Sequence, residues 1–277
     1  MGGEVWRLLE LAPGDGPWNM AVDEAILVAM ANGPTSPTLR LYSWSRPYLS
    51  VGCSQRLSDL DLEACRREGL PLLRRASGGT AVLHEATVAY SLVLPSGHPL
   101  AATDVVESYR RLATPMLAAL RRLGVDARLV PPGEADCGGR REGLGSSACF
   151  GSLAPYELIY LGRKLVGNSQ LRRRGVILHH AMLYLEFDPV RLASLLRVAS
   201  REERVELARF LGEHVGSLAW ALGARVRMEA VAEALKAGFA ETLGIRLEPG
   251  ALAPDEEAQA RRLVLEKYGN PKWTQFR

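Results

Sequence analysis

The clearest periodicity in the chain is that of Val106, Tyr109, Leu112, Ala113, Met116, Leu117 and Leu120, apolar positions recurring at three and four residues. That spacing predicts an amphipathic helix, and Asp104 with Glu107 ahead of it has the form of a capping box. Elsewhere the period is two. Glu4 to Leu11, Thr38 to Trp44, Thr87 to Leu94 and Val176 to Phe187 read as strands, with Leu49 to Cys53 as the partner of Thr38 to Trp44 across an Arg46-Pro47 turn. A helix is expected from Trp18 to Ala31, opened by Pro17 and stopped by Gly33, Pro34 and Pro37. Tyr156 to Leu161 and Lys164 to Ser169 form a hairpin around Gly162-Arg163, and Asp61 to Glu68 is a short helical segment.

From about residue 189 the pattern turns helical, with Val190 to Leu196, Glu202 to Leu211, Met228 to Leu243 and Pro254 to Tyr268 as candidates. No internal repeat and no proline- or serine-rich linker divides the chain. The expected class is α+β: residues 1–277 as a single domain of mixed β-sheets packed by helices, helix-rich near its end. Residues Pro131 to Ala148 are rich in glycine and poor in large apolar groups, a long loop of the kind that serves as a lid.

Composition narrows this picture in three places. A hydrophobic share of 47% and a charged share of 23% describe a globular protein, and a net charge of +3 is too small to argue for nucleic acid. No long uncharged apolar run is present and the amino terminus lacks a signal-peptide pattern; with four cysteines in no metal-finger spacing, these features lead to the expectation of a cytoplasmic protein with free thiols, without membrane or metal. The third point concerns one residue. The chain carries 30 arginines and 4 lysines, and Lys164 is the only lysine before position 236. Lysine offers a compact charge whose protonation responds to its surroundings, which arginine does not.

Other segments bear chemistry. Arg74 to His84 (RRASGGTAVLH) sets two cations and a hydroxyl beside Gly78-Gly79, where backbone amides are able to cradle a carbonyl or phosphate; a plain turn flanked by surface arginines has the same sequence. Cys149 stands fifteen residues before Lys164, and a nearby ammonium favours the thiolate that attacks acyl groups; a lone cysteine is also a small apolar core residue. His179 and His180, adjacent in a strand, face opposite ways and cannot share a metal ion. Arg172 to Arg174 is a solvated charge run, suited also to an acidic partner.

Taken in order, these motifs resemble the lipoate/biotin protein ligase superfamily, and within it the octanoyltransferase and lipoate-protein ligase branch. Asn19-Met20-Ala21-Val22-Asp23-Glu24 resembles NMAxDE, and Arg74 to His84 resembles RRxSGGGxVxH. Gly162 to Gln170 resembles GxKIxGSAQ, and Gly175 to Leu183 resembles GxxxxHGxxL, with Arg40 to Trp44, Gly52, Gln55 and Val215 to Leu218 as smaller matches. Thr80 and Ala181 stand where glycine is usual, and Asn168-Ser169 where Ser-Ala is. The resemblance implies an acyl tunnel with Lys164 at the acyl carbonyl or the activated phosphate, and substrate binding by Arg74, Ser77, Gly78, Gly79, His84, Gly167, Gln170 and His180. Cys149-Phe150 followed by Tyr156-Glu157 is similar to the cysteine-dependent octanoyltransferases, which implies Cys149 and Lys164 as catalytic residues and no cofactor. It further implies acyl carrier protein as octanoyl donor and a lipoyl domain or glycine-cleavage H protein as acceptor. The alternative within the branch is an ATP- and Mg-dependent lipoate-protein ligase with a separate or absent accessory domain, since the expected Glu256 to Tyr268 helix leaves no room before Arg277 for the additional carboxy-terminal domain of many ligases.

Overall fold

The computed structural model describes residues 3–135 and 154–276. Its centre is a six-stranded mixed sheet in the order β10-β11-β6-β2-β1-β12. The strands are β1 (Val5–Gly14), β2 (Thr38–Trp44), β6 (Thr87–Pro95), β10 (Val166–Arg173), β11 (Val176–Tyr184) and β12 (Arg246–Pro249). β10, β11, β6 and β2 pair antiparallel, whereas β2, β1 and β12 run parallel. β6 and β11 lie in the middle and are buried along nearly their whole length, which is why their apolar runs scarcely alternate.

Both faces of the sheet are covered. On one lie α3 (Val105–Arg122) and α7 (Met228–Leu243), whose Leu112, Met116, Leu120, Leu235 and Phe239 pack on Leu39, Leu41, Tyr90 and Leu92. Asp104 caps α3 by accepting the Glu107 amide at 2.7 Å, but the Glu107 side chain, instead of reaching back, pairs with Arg110 and Arg111. On the opposite face lies α1 (Gly16–Asn32), buried along most of its length because it is sandwiched between the sheet and α8 (Pro254–Leu263).

Two small sheets flank the large one. β3 (Tyr48–Val51) pairs with β4 (Leu72–Arg74) and β5 (Val82–His84), and α2 (Leu62–Arg67), α4 (Pro189–Leu195) and α5 (Arg201–His214) pack around it. The expected β2–β3 hairpin is therefore corrected: the chain leaves one sheet at Trp44 and enters another at Tyr48, since both edges of β2 are already occupied by β1 and β6. In the other, β7 (Arg128–Leu129), β8 (Leu158–Tyr160) and β9 (Arg163–Lys164) pair, and α6 (Leu218–Leu222) follows nearby. The β8–β9 hairpin turns on Leu161-Gly162, both at positive φ (46° and 81°), one residue earlier than the spacing suggested. After Lys164 the chain leaves the hairpin and joins the large sheet as β10. The last helix, α9 (Pro271–Thr274), follows a π-type turn over Val264–Tyr268.

Candidate active site

A cleft of about 640 Å³, counting its open mouth, lies where β10 and β11 meet the β4–β5 loop and α1. Its walls are largely apolar: Met20, Tyr42, Val82, Ala89, Ala181 and Met182. The cross-strand pairs Gly167 with Met182 and Ser169 with His180 set one wall, and Ala89 opposite Met182 continues it.

Lys164 lies at the β9 end of this cleft, 3% exposed. Its Nζ donates to Glu157 Oε1 at 2.5 Å, and Glu157 Oε2 accepts the Ala154 amide at 3.1 Å. The lysine backbone is held too: the Gly216 amide donates to its carbonyl at 2.9 Å, and Val215 bridges it in parallel. The Val215-Gly216-Ser217 match thus has a physical role, steadying the lysine and, through Ser217, capping α6.

The Gly78-Gly79 turn forms another wall. Gly79 has φ 92°, and Gly52 packs so tightly beneath it that a Cβ there would stand 1.9 Å from the Gly79 carbonyl oxygen. Arg75 locks the turn from within, donating to the carbonyls of Gly78 and Thr80 at 3.0 Å each and to Ser50 Oγ at 2.6 Å. Ser50 Oγ also lies 2.7 Å from His84 Nε2, a hydrogen bond whose direction follows the tautomer of the ring. Burial, then the charges of Arg75 and His180, push His84 well below the usual histidine range, so it lines the cleft as a neutral ring stacked on Trp44.

The NMAVDE segment supplies the cleft's floor. Asn19, Asp23 and Arg40 form a network without solvent access to Asn19 or Asp23: Arg40 donates to Asn19 Oδ1 and to Asp23 Oδ1, each at 2.7 Å, and Ser91 Oγ donates to the same carboxylate oxygen at 2.7 Å. Asp23 Oδ2 stands 2.9 Å from His180 Nε2, turning His180 into the cleft. Burial alone would raise the Asp23 carboxyl, but Arg40, His180 and Ser91 outweigh it and hold it below its ordinary range. His179 faces the other way, against Tyr90 and Tyr109, as strand alternation requires. Burial and the neighbouring His180 bring it down to about 3.

His84 and His179 make stability pH-dependent. Each stays neutral in the fold while the unfolded chain takes up a proton near pH 6.5, so stability is full above that value and declines as pH falls toward the folded-state values. Between pH 7 and pH 5 each is expected to cost about 2 kcal/mol. Urea unfolding at the two pH values measures the sum, and His179→Phe should remove about half of the difference.

Of the residues singled out in the sequence, Lys164, Gly78, Gly79, His84, Gly167 and His180 come together around the cleft. Three do not line it. Arg74 is fully buried and donates to the carbonyls of Gly52 (2.8 Å), Gln55 (2.7 Å) and Thr274 (3.0 Å), while Trp273 donates to its own carbonyl: it braces the loop from behind, and Arg75 is the arginine that faces the cleft. Gln170 turns to α3, donating to Ser108 Oγ at 3.3 Å. Ser77 bonds Ser169 Oγ at 2.9 Å, and it is Ser169 that lines the space. Cys149, Phe150 and most of the 131–148 lid candidate lie outside the described residues, as does Cys137. Among the described residues no group of three or more His, Cys, Asp or Glu is arranged to hold a metal ion, and no helix is long and apolar enough to cross a membrane.

Comparison with known proteins shows the family of the chain. The family model of the lipoyl protein ligase A/B catalytic domain matches residues 15–240. The chain is 44% identical to an octanoyltransferase LipM of Kyrpidia tusciae, over 98% of each chain, and 38% identical to that of Moorella thermoacetica over the whole of both. Among solved structures it is similar to a bi-partite lipoate protein ligase from Thermoplasma acidophilum (26% identity, TM-score 0.80, 99% and 96% of the two chains) and to a lipoate-protein ligase A bound with ATP (27% identity, TM-score 0.76, 99% of each). The chain belongs to the lipoyl protein ligase A/B catalytic domain family.

Proposed function

We propose that this protein transfers an octanoyl group to a lysine of a lipoyl domain through a thioester on Cys149. The observation that carries the reading is the buried Lys164, paired with Glu157, at one end of a cleft with a largely apolar wall of Met20, Tyr42, Val82, Ala89, Ala181 and Met182. An acyl chain fits the apolar part; at about 0.8 kcal/mol per methylene, the six of an octanoyl group contribute roughly 5 kcal/mol on burial. Similarity to octanoyltransferases over nearly the whole chain favours octanoyl over other acyl groups.

In the first step the Cys149 thiolate attacks the carbonyl carbon of octanoyl acyl carrier protein. A new C–S bond forms, the carrier's C–S bond breaks, and the carrier thiolate departs to take up a proton. In the second the neutral amine of the acceptor lysine, on a lipoyl domain or glycine-cleavage H protein, attacks that thioester. An amide forms, the amine gives up a proton, and Cys149 leaves as thiolate. Lys164 and the amides of the Gly78-Gly79 turn stabilise the oxyanion in both steps. Cys149 precedes Ala154 by five residues in the sequence, and the Ala154 amide bonds Glu157, the partner of Lys164. The donor thioester already carries the activation, so neither nucleotide nor metal enters, and both protein substrates assign the reaction to the cytoplasm.

The ATP- and Mg-dependent ligase is the competing reading, favoured by the solved relatives described as lipoate protein ligases. One experiment separates them: apo lipoyl domain is incubated with the protein and either octanoyl acyl carrier protein or octanoate with ATP and Mg, and its mass is followed. Gain of an octanoyl group with the carrier alone is expected, with an acyl-enzyme mass that Cys149→Ala abolishes along with transfer. Gain only with ATP, or full activity in Cys149→Ala, would overturn the transferase reading.

A further inference from the structure

We infer that residues 264–276 set the position of the Gly78-Gly79 turn, with Trp273 as the positioning residue. The inference rests on the octanoyl-transfer reading, in which that turn stabilises the oxyanion. Two pairs of neighbouring residues divide their duties around the cleft. On α1, Asp23 belongs to the floor network with Arg40 and His180, while Glu24 accepts from Lys267 and Tyr268. Ahead of the turn, Arg75 bonds the carbonyls of Gly78 and Thr80, while Arg74 bonds Trp273 and Thr274. One member of each pair shapes the cleft, and the other is tied to a single short stretch of chain. Residues 264–276 therefore join the floor of the cleft to its Gly-Gly wall from behind.

The connection is continuous from α1 to the turn. Glu24 Oε2 accepts from Lys267 Nζ at 2.6 Å and from the Tyr268 hydroxyl. These successive residues reach one carboxylate from the π-type turn, a geometry that recurs at functional segments. Lys267 Nζ also lies 4.3 Å from the centre of the Trp273 ring, and Tyr268 packs edge-on against the same ring. Trp273 Nε1 donates to the Arg74 carbonyl at 2.9 Å, and Arg74 Nε donates to the Thr274 carbonyl at 3.0 Å. From Arg74 the path runs to the Gly52 carbonyl at 2.8 Å, and Gly52 packs directly beneath Gly79. There is no room for a Cβ between those two glycines, so a shift of Arg74 is passed on to the turn instead of being absorbed. A displaced oxyanion donor weakens the interaction where charge develops and leaves the apolar wall, where the acyl chain binds, as it was.

Trp273→Phe keeps an aromatic ring but removes the N–H, and Lys267→Met keeps the stem but removes Nζ. Each is expected to lower the kcat of octanoyl transfer, per folded enzyme, about tenfold, with the KM for the acyl donor within about twofold of wild type. Because both act along one path, the double variant should fall hardly further, a non-additivity that independent losses of stability do not produce. Lys272→Met, exposed in the same segment, should leave kcat unchanged. A second readout does not depend on turnover. The amides of Cys53 and Arg75 donate to the carbonyls of Ser77 and Val51, and in hydrogen exchange followed by peptide mass they should exchange about fivefold faster in Trp273→Phe than in wild type or Lys272→Met. Wild-type kcat in folded Trp273→Phe overturns the inference, and so does a double variant whose losses simply multiply. Should Trp273→Phe fail to fold, Lys267→Met decides by the same kcat and exchange measurements. Absence of octanoyl transfer by wild type would sink the functional reading instead; exchange then still decides whether the segment holds the turn, and unchanged rates in the variants overturn it.

Discussion

Lys164→Met is expected to lower the turnover of octanoyl transfer by about 10²- to 10³-fold, the cost of removing one oxyanion-stabilising group. Methionine keeps the length and most of the apolar stem while deleting the charge at the cleft's end, so the KM for the acyl donor should change far less than kcat. The same substitution leaves the Glu157 carboxylate, 8% exposed, without its ammonium. Breaking a buried pair from one side costs about 3–5 kcal/mol, and the urea midpoint should fall accordingly. Lys164→Met combined with Glu157→Gln removes both charges, leaving two side chains of similar size and no orphan ion. That double variant is expected to recover most of the stability and none of the activity. Single-turnover rates and urea unfolding on the three variants check both halves, and recovery of transfer in the double variant would assign Lys164 a purely structural place.

Asp23→Ala should be the most damaging change to stability away from the reacting end. It removes the acceptor of Arg40 and Ser91 and the carboxylate beside His180, and leaves a guanidinium that is 7% exposed. A loss of about 3–5 kcal/mol is expected, read as a drop in urea midpoint with unchanged slope. Because the Asp23 carboxyl is held below its unfolded value, its contribution is complete above about pH 4 and is lost as pH falls through the folded-state value. The variant should therefore lose less than wild type on acidification below pH 4. His180, released from its partner, no longer shapes the cleft wall, so affinity for the acyl donor should weaken as well.

The long buried strands and the amphipathic α3 were legible in the sequence because their periodicity belongs to them alone: Leu112, Met116 and Leu120 would pack on almost any sheet. The two- to four-residue strands β5, β7 and β12 carry too few positions to show a period, and their pairing depends on partners far along the chain. The β2–β3 hairpin was misread for a related reason: Arg46-Pro47 looks like a turn, and whether the strands beside it meet is decided by β1 and β6, which claim β2 from both sides.

The candidate site divides in the same way. Lysine in an arginine-rich chain and a Gly-Gly turn are local signals, and both led to the cleft. Which of Arg74 and Arg75 faces inward is set by strand alternation just ahead of a bend, and the carboxy-terminal Thr274 and Trp273 that take Arg74 out of the site are 200 residues away. Glu157 was quoted in a motif, yet its bond to Lys164 depends on the hairpin turning at Leu161-Gly162, with Ile159 opposite Lys164. A turn read one residue later would have paired it elsewhere.

The parallel pairing of β1 with β12 joins Val5 to Arg246, nearly the full length of the chain apart. On a ribosome adding about 5–20 residues per second, the first strand waits on the order of ten to fifty seconds for its outer neighbour to be made. During that interval β1 presents an unpaired edge with Trp6, Leu8 and Leu9 beside it, residues that the finished fold buries. Production of this protein should accordingly be sensitive to how fast the chain is elongated and to how crowded the nascent edges are, and slower synthesis at lower temperature should give more of it in folded form.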